Sequence, residues 1–88
     1  MDDFSFSDNP AASRFELTRA GTVAAHADYK LQDGAVVLTH TEVLPGHEGQ
    51  GIGSKLAKLV LDDLRRRGAT IVPQCEFMAR YIARHPAY

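Results

Sequence analysis

A glycine-rich loop constrains this chain more than any other feature. Four glycines lie in the eight residues from Gly46 to Gly53, between a segment rich in β-branched residues and a segment with helical spacing. Glycine has no Cβ, so its backbone bends freely and approaches a ligand closely. The first amides of a helix lack helical partners, and the helix dipole adds partial positive charge there. The loop therefore predicts either a phosphate site or simply a tight strand-to-helix turn.

Two common phosphate motifs do not match this loop. A P-loop needs Lys directly after its last glycine, whereas Ile52 follows Gly51 and Ser54 follows Gly53. A dinucleotide fingerprint needs its third glycine two residues further on, in a longer βαβ fold than 88 residues allow.

Hydrophobic periodicity predicts the element order β-β-β-α-β-α. The predicted elements are strands 14–18, 22–31 and 35–44, a helix 51–67, a strand 69–73 and a helix 76–84. Because a helix separates the last strand from the third, a right-handed crossover would make those two strands parallel. We expect an α/β fold with a three-stranded antiparallel meander, a glycine loop and helix, a parallel fourth strand and a short C-terminal helix. Residues 1–11 are expected to be a flexible arm and residues 12–88 a single domain.

Composition narrows the class of partner. The net charge is −1, with 24% charged and 44% hydrophobic residues, so no basic excess favours nucleic acid. No apolar run approaches the ~18 residues of a membrane span, and the acidic start predicts no signal peptide. One cysteine favours a reducing, cytoplasmic setting. The histidines and cysteine have no metal-ligand spacing, so we expect no metal. A monomer is the favoured oligomeric state.

Candidate chemical groups lie where the parallel strands end, because ligands of open α/β sheets bind at that edge. Cys75 follows one such strand and precedes a helix, so it is either a reactive thiol or an inert buried cysteine. His40 and Glu42 alternate on one face of the third strand, which Val36 and Leu38 are expected to share. Glu42 is either a general base or half of a polar pair at the solvated strand end.

The sequence gives weaker evidence of a functional role for the other histidines and for one tyrosine. His26 and His47 are expected at the surface. Tyr81 and His85 lie four apart on one helical face. They either line the same cleft or serve the core and the helix end.

The glycine loop resembles the acetyl-CoA loop of the GNAT N-acetyltransferase superfamily. That pattern is Gln or Arg, two variable residues, Gly, one variable residue, then Gly or Ala. Gly51 and Gly53 match it, while Glu48 stands where Gln or Arg is usual. A carboxylate would repel phosphates unless it points away.

Three blocks from about Ala12 to Tyr88 resemble a family of very small, single-domain GNAT-like proteins. They are residues 38–43, residues 49–56 and a C-terminal block, residues 72–88, with Pro-x-Cys-x-Phe, then Tyr-Ile, then His-Pro-x-Tyr. The resemblance implies an acetyl-CoA-binding, truncated acetyltransferase fold, with Cys75 near the acetyl thioester as the catalytic candidate. It leaves the acceptor unidentified.

The sequence and the resemblance together predict a small N-acetyltransferase that moves acetyl from acetyl-CoA to an amine, on a small molecule or a protein. Cys75 and, less strongly, Glu42 are the catalytic candidates. The expected coenzyme A contacts are Thr41, Glu42, Val43, Leu44, Gly49, Gln50, Gly51, Ile52, Gly53, Ser54, Lys55, Cys75, Tyr81 and His85. Loop amides would hold the pyrophosphate, and backbone groups of residues 41–44 would bind the pantetheine like an added strand.

Alternatives remain open at this point. Lys55 and Lys58 either attract the adenosine phosphates or are solvated helix residues. Cys75 either accepts the acetyl group or protonates the departing thiolate. The chain is alternatively a non-catalytic CoA-binding module, or a partner-binding domain whose loop is only a turn.

Overall fold

A computed structural model describes residues 4–86 of the chain. Its elements are β1 (Phe4–Asn9), a 3-10 turn (Pro10–Ala12), β2 (Arg14–Arg19), β3 (Thr22–Gln32), β4 (Ala35–Val43), α1 (Ile52–Arg66), β5 (Thr70–Pro73) and α2 (Glu76–Arg84). The strands form one sheet in the order β1-β2-β3-β4-β5, antiparallel except for the parallel pair β4 and β5. The predicted α/β class, the antiparallel meander and the parallel last strand are confirmed.

The N-terminal segment is a strand, so the prediction of a flexible arm is wrong for residues 4–9. Strand β1 pairs along its whole length with β2. Phe6 stacks on Phe15 with 5.7 Å between ring centroids, and the Tyr29 hydroxyl donates to Asp8 Oδ1 across 2.6 Å. The meander therefore has four strands. Residues 1–3 and 87–88 lie outside the described residues. Tyr88 of the C-terminal block is one of them.

Both hairpin turns have the backbone that their sequences predict. Ala20 and Gly21 have φ of 52° and 82°, and Asp33 and Gly34 have φ of 52° and 78°. Positive φ at both central residues is the type I′ geometry, whose twist matches that of the flanking strands. The two turns join β2 to β3 and β3 to β4.

Helix α1 buries one apolar stripe against the sheet, as its spacing predicts. Ile52, Leu56, Val60 and Leu64 are all at most 3% exposed and pack with side chains of β2, β3 and β4. Gly68 ends the helix in a left-handed conformation, with φ of 71°. Neither helix of the described chain is long and apolar enough to cross a membrane.

A bulge in β4 decides which side chains share a face. Asp28 pairs with His40, but the next residue, Tyr29, pairs with Leu38, so Thr39 is the extra residue. Because side chains alternate along a strand, one extra residue moves everything beyond it to the opposite face.

The bulge overturns one prediction about that face. His40 and Glu42 do not share a face with Leu38. Thr41 and Val43 take the helix-covered face, where Val43 lies beside the first turn of α1. His40 and Glu42 lie on the face that carries neither helix.

Candidate functional site

Strands β4 and β5 separate at the glycine-loop end of the sheet. Pairing between them covers only Ala35 to Leu38 on β4 and ends at Pro73 on β5. The last link is the Cys75 N–H, which donates to the Leu38 carbonyl across 2.8 Å. Beyond this point β4 continues to Val43. We call the opening between residues 39–43 of β4 and the start of α2 the split.

Strand β4 presents backbone groups to the split. The Leu44 N–H donates to Ala24 O across 2.9 Å, so this amide is used by β3. Backbone groups alternate in direction along a strand, so those of Val43 and Thr41 point away from β3 and into the split. An extended ligand can pair there as an added strand. Within the predicted segment 41–44, Glu42 and Leu44 thus direct their backbone groups to β3, and Thr41 and Val43 are left for a ligand.

Cys75 lies at the closed end of the split. It precedes α2 with extended backbone, φ −73° and ψ 127°, and its thiol donates to Thr41 Oγ1 across 3.3 Å. The thiol is partly exposed, and Thr41 belongs to the part of β4 beyond the bulge. The structure therefore joins the predicted cysteine to the predicted cofactor strand, although 34 residues separate them along the chain.

The glycine loop leads into α1 with uncapped amides. Lys55 N–H makes the first helical bond, to Gly51 O, and no side chain caps the amides that precede it. Gly49 and Gly51 have φ of 76° and 69°, and a Cβ built on either meets nothing within 4 Å. The space above the loop is open, so it can admit an anion close to the backbone.

Gly53 serves a different purpose from the other loop glycines. Its φ is not in the left-handed region, but a Cβ there would lie 3.0 Å from Phe77 Cζ and 3.5 Å from Val43 Cγ2. The missing side chain lets α1 and α2 approach each other where both face the split.

The side chains of Glu48 and Gln50 are engaged within the protein. Glu48 Oε1 accepts from the Gly46 N–H across 3.0 Å, so its carboxylate is turned toward the start of the loop. Gln50 Oε1 accepts from Arg19 Nη1 across 2.7 Å. Arg19 and Lys55 both lie over the Phe4 ring, 5.3 and 5.4 Å from its centroid. Two cations therefore flank the loop from the side of β1 and β2.

The outer face of α2 approaches the start of α1. Tyr81 stacks on His85 with 3.9 Å between ring centroids, and His85 Nδ1–H donates to Tyr81 O across 2.7 Å. A cavity of ≈170 Å³ is lined by Ser54, Phe77, Arg80, Tyr81 and Arg84. This cavity brings the predicted residues Ser54 and Tyr81 together, and His85 joins them through its stacking.

Sequence reasoning missed several residues of this region. Phe77, Arg80 and Arg84 lie on the same face of α2 as Tyr81, and Arg19 approaches from β2. In the sequence, Phe77, Arg80 and Arg84 are spaced three and four residues apart, which places them on one face of a helix. That spacing could have identified them as site residues. No sequence pattern could have identified Arg19, because its position depends on the pairing of β2 with β1.

A cluster of titratable groups occupies the face that carries neither helix. His26 Nδ1–H donates to Asp28 Oδ1 across 2.7 Å, while His26 Nε2 lies 3.8 Å from Glu42 Oε1. His40 Nε2 lies 3.3 Å from the same oxygen. His26 is only 8% exposed, so the prediction that it lies at the surface is wrong. His26 lies on the central strand β3, where it pairs with Glu16 of β2 on one side and with Glu42 of β4 on the other.

The predicted site residues are not all in one place. Thr41, Val43, Gly53 and Cys75 lie at the split, and Ser54 and Tyr81 line the cavity beside it. The side chains of Gln50 and Lys55 reach instead toward Arg19 and Phe4. Glu42 lies beside the split on the opposite face of the sheet. Among residues 4–86, no group of three or more His, Cys, Asp or Glu side chains is placed to hold a metal ion.

The fold and its split define a minimal GNAT-type α/β protein. A GCN5-like protein of Staphylococcus aureus, solved by NMR, superposes with a TM-score of 0.71 over all of this chain and 86% of that chain, at 22% identity. The chain belongs to the GCN5-related N-acetyltransferase family, whose model matches residues 14–88. Family membership supports a general acetyltransferase role. Comparison with curated proteins gives no match.

Two longer structures are also similar. The ribosomal-protein-S18-alanine N-acetyltransferase of Escherichia coli is 26% identical, with a TM-score of 0.57 over 78% of this chain and 39% of that chain. A GNAT family acetyltransferase of Brucella melitensis, solved with acetyl-CoA, is 25% identical, with a TM-score of 0.60 over 82% and 54%. The chain thus spans about half or less of the length of these two proteins.

Proposed function

We propose that this chain is a small N-acetyltransferase that transfers acetyl from acetyl-CoA to a primary amine. The observation that carries the proposal is the position of the Cys75 thiol, hydrogen-bonded to Thr41 at the closed end of the split. The relative from Brucella melitensis, solved with acetyl-CoA, supports the choice of donor.

The residues present fit a coenzyme A ligand. The uncapped amides at the start of α1 and the open space above Gly49 and Gly51 suit a pyrophosphate. The backbone of Thr41 and Val43 suits a pantetheine arm, which carries amides that can pair with a strand edge. Arg19 on one side and the arginines of α2 on the other supply positive charge.

Cys75 is suited to an acid role. Its thiol donates to Thr41 Oγ1 at the closed end of the split, where the thioester of a ligand paired to β4 would lie. When the amine nitrogen bonds to the acetyl carbon and the carbon–sulfur bond breaks, Cys75 donates its proton to the departing sulfur. The competing covalent route has Cys75 accept the acetyl group first and pass it to the amine.

A non-catalytic CoA-binding module is the second candidate. It is favoured by the extent of the match to the two longer neighbours, of which the chain covers only 39% and 54%.

One assay separates the two candidates. Acetyl-CoA is incubated with the protein and a panel of primary amines, and free CoA thiol is measured with and without each amine. Amine-dependent release of thiol at a rate proportional to protein concentration supports the enzyme. Binding of acetyl-CoA with no amine-dependent release supports the binding module, and no binding rejects both.

A further inference from the structure

The two edges of the sheet differ in how well they are protected against further strand pairing. Strand β5 is short and ends at Pro73, which has no backbone N–H, and the Val72 carbonyl already accepts from the Gln74 N–H. Strand β1 is longer, contains neither lysine nor proline, and pairs with β2 in one unbroken register. Lysine, proline and bulges are among the features that keep exposed edges from pairing. Among residues 4–86, no strand pairs with the outer edge of β1.

The pairing of β2 decides which backbone groups of β1 face outward. The Tyr29 N–H donates to Ser13 O across 3.0 Å, so the odd-numbered residues of β2 direct their backbone groups toward β3. Because these groups alternate in direction along a strand, the even-numbered residues of β2 direct theirs toward β1, where they pair with its odd-numbered residues. The backbone groups that point away from the sheet are therefore those of Phe4, Phe6 and Asp8.

These outward groups are arranged to pair with the same strand of a second copy. In an antiparallel pair, two facing residues either both bond across the pair or both do not. Even-numbered residues of one copy must therefore face even-numbered residues of the other. The side chains of Phe4, Phe6 and Asp8 lie on the helix-covered face, so the helices of both copies lie on the same side. A two-fold axis perpendicular to the sheet then joins the two five-stranded sheets into one.

Charge selects one register among those that this rule allows. With the axis at Phe6, that ring faces its own copy, and Asp8 of the second copy faces Phe4. Arg19 and Lys55 lie over the Phe4 ring, 5.3 and 5.4 Å from its centroid. An aromatic residue thus faces an aromatic residue, and a carboxylate approaches two cations, both of which are favourable cross-strand arrangements. An axis one residue to either side would lose the contact of Asp8 with these cations.

Asp8 can take part in this contact without leaving its present partners. Its Oδ1 accepts from the Tyr29 hydroxyl across 2.6 Å, and its Oδ2 accepts from Arg67 Nη2 across 3.1 Å. Each carboxylate oxygen has a second lone pair, so both can accept a further hydrogen bond.

We propose that β1 is a dimerisation strand, through which two copies of this chain pair antiparallel about a two-fold axis at Phe6. The dimer takes the place of the monomer that the sequence alone favoured. The split lies between β4 and β5 at the other edge of the sheet, so both splits stay open to a ligand. The inference does not depend on the acetyltransferase function proposed above.

Sedimentation equilibrium from micromolar to millimolar protein tests the association. We expect a reversible monomer–dimer equilibrium in the wild type, and a single monomeric species at millimolar protein would overturn the proposal. In the proposed register Ser5 faces Ser7 of the second copy, so Ser5→Lys/Ser7→Lys puts lysine opposite lysine in two symmetric pairs. Its dimer dissociation constant should rise about 10-fold, because like charges directly opposite each other destabilise a strand pair.

Gln32→Lys/Thr70→Lys is the matched control. Both positions are exposed and flank Ala35 on strands β3 and β5, so this variant adds the same charge away from β1. At about 0.15 M salt, which screens distant charges, its dimer dissociation constant should equal that of the wild type. Equal weakening in both variants would show a general effect of charge and overturn the role of β1. An unchanged constant in Ser5→Lys/Ser7→Lys would overturn it as well.

Cysteine cross-linking tests the register. Ser5→Cys and Ser7→Cys are made separately in a Cys75→Ala background, mixed, and equilibrated with oxidised and reduced glutathione. Facing residues in a non-hydrogen-bonded pair have Cα atoms about 4.5 Å apart, which is within disulfide range. We expect disulfide-linked dimers in the mixture and none in either variant alone. Cross-linking of either variant with itself would overturn the register, and no cross-link in the mixture would overturn the pairing through β1.

Discussion

The Cys75 thiol donates a hydrogen bond to the Thr41 hydroxyl, with 3.3 Å between Sγ and Oγ1. Cys75 directly precedes α2 and Thr41 lies on β4 beyond the bulge, so the bond spans the point where β4 and β5 separate. It therefore marks the closed end of the split, where a ligand paired to β4 would end.

Coenzyme A and acetyl-CoA should raise the melting temperature. A ligand at ~100 times its dissociation constant adds about 2.7 kcal/mol to the free energy of unfolding. For a domain of this size that corresponds to a rise of roughly 10–20 °C. Differential scanning fluorimetry measures the shift. An unchanged melting temperature in millimolar CoA would contradict the donor assignment.

Gly51→Asp should abolish CoA binding. Gly51 has φ of 69° beside open space, so the new side chain would enter the region proposed for the phosphates and add negative charge. Gly68→Asp is the control, since Gly68 has φ of 71°, also has open space for a Cβ, and lies after the opposite end of α1. Each substitution at positive φ costs about 1–2 kcal/mol of stability. Calorimetric titration should show loss of binding only for Gly51→Asp, and similar losses for both would remove the phosphate role from the loop.

Glu48→Gln should bind CoA as tightly as the wild type or more tightly. Glu48 Oε1 accepts from the Gly46 N–H, and a glutamine oxygen can keep that bond while the negative charge is removed. Weaker binding by Glu48→Gln would show that the carboxylate has a role other than holding Gly46.

Cys75→Ala should leave CoA affinity within a few-fold and lower acetyl transfer far more. The thiol contributes one weak hydrogen bond to the fold but is the acid of the proposed step. Thr41→Val, which removes the acceptor of that bond, should lower transfer less than Cys75→Ala. Mass spectrometry of wild-type protein with acetyl-CoA alone should find no acetylated Cys75. An acetylated cysteine would favour the covalent route. Acetyl transfer by Cys75→Ala at the wild-type rate would show that the cysteine has only a structural role.

Stability should fall in alkaline solution as Tyr29 ionises. Burial and the hydrogen bond to Asp8 raise the pKa of Tyr29 to about 12 from the ordinary 10.0. Since the folded pKa is the higher one, this contribution is fully present below pH 10 and is lost as the pH rises from 10 to about 12. Melting temperatures across this range should fall less steeply in Tyr29→Phe. Parallel curves for the two proteins would contradict this role of Tyr29.

Local patterns in the sequence predicted most of the elements. The helix 76–84 has the predicted bounds, and α1 differs from its predicted range by one residue at each end. Both hairpin turns follow from their glycines, and the crossover rule gave the parallel pairing of β4 with β5. These features depend on neighbours within a few residues or on general rules of chain connection.

The first strand was missed although its signal was present. Residues 4–7 alternate Phe and Ser, which is the period of a strand. Such an edge strand is stable only through its partner, and Phe6 finds that partner in Phe15 across the sheet. No local pattern specifies this pairing.

The sequence by itself determined the glycine loop, the helix it begins and the cysteine at the end of a parallel strand, because these depend on local backbone freedom and periodicity. Only the tertiary structure decided which groups meet. One bulged residue, Thr39, turned Thr41 toward Cys75 and Glu42 toward His26. A bulge forms where two strands pair with unequal numbers of residues, so it is a property of the pair and is not specified by either strand alone.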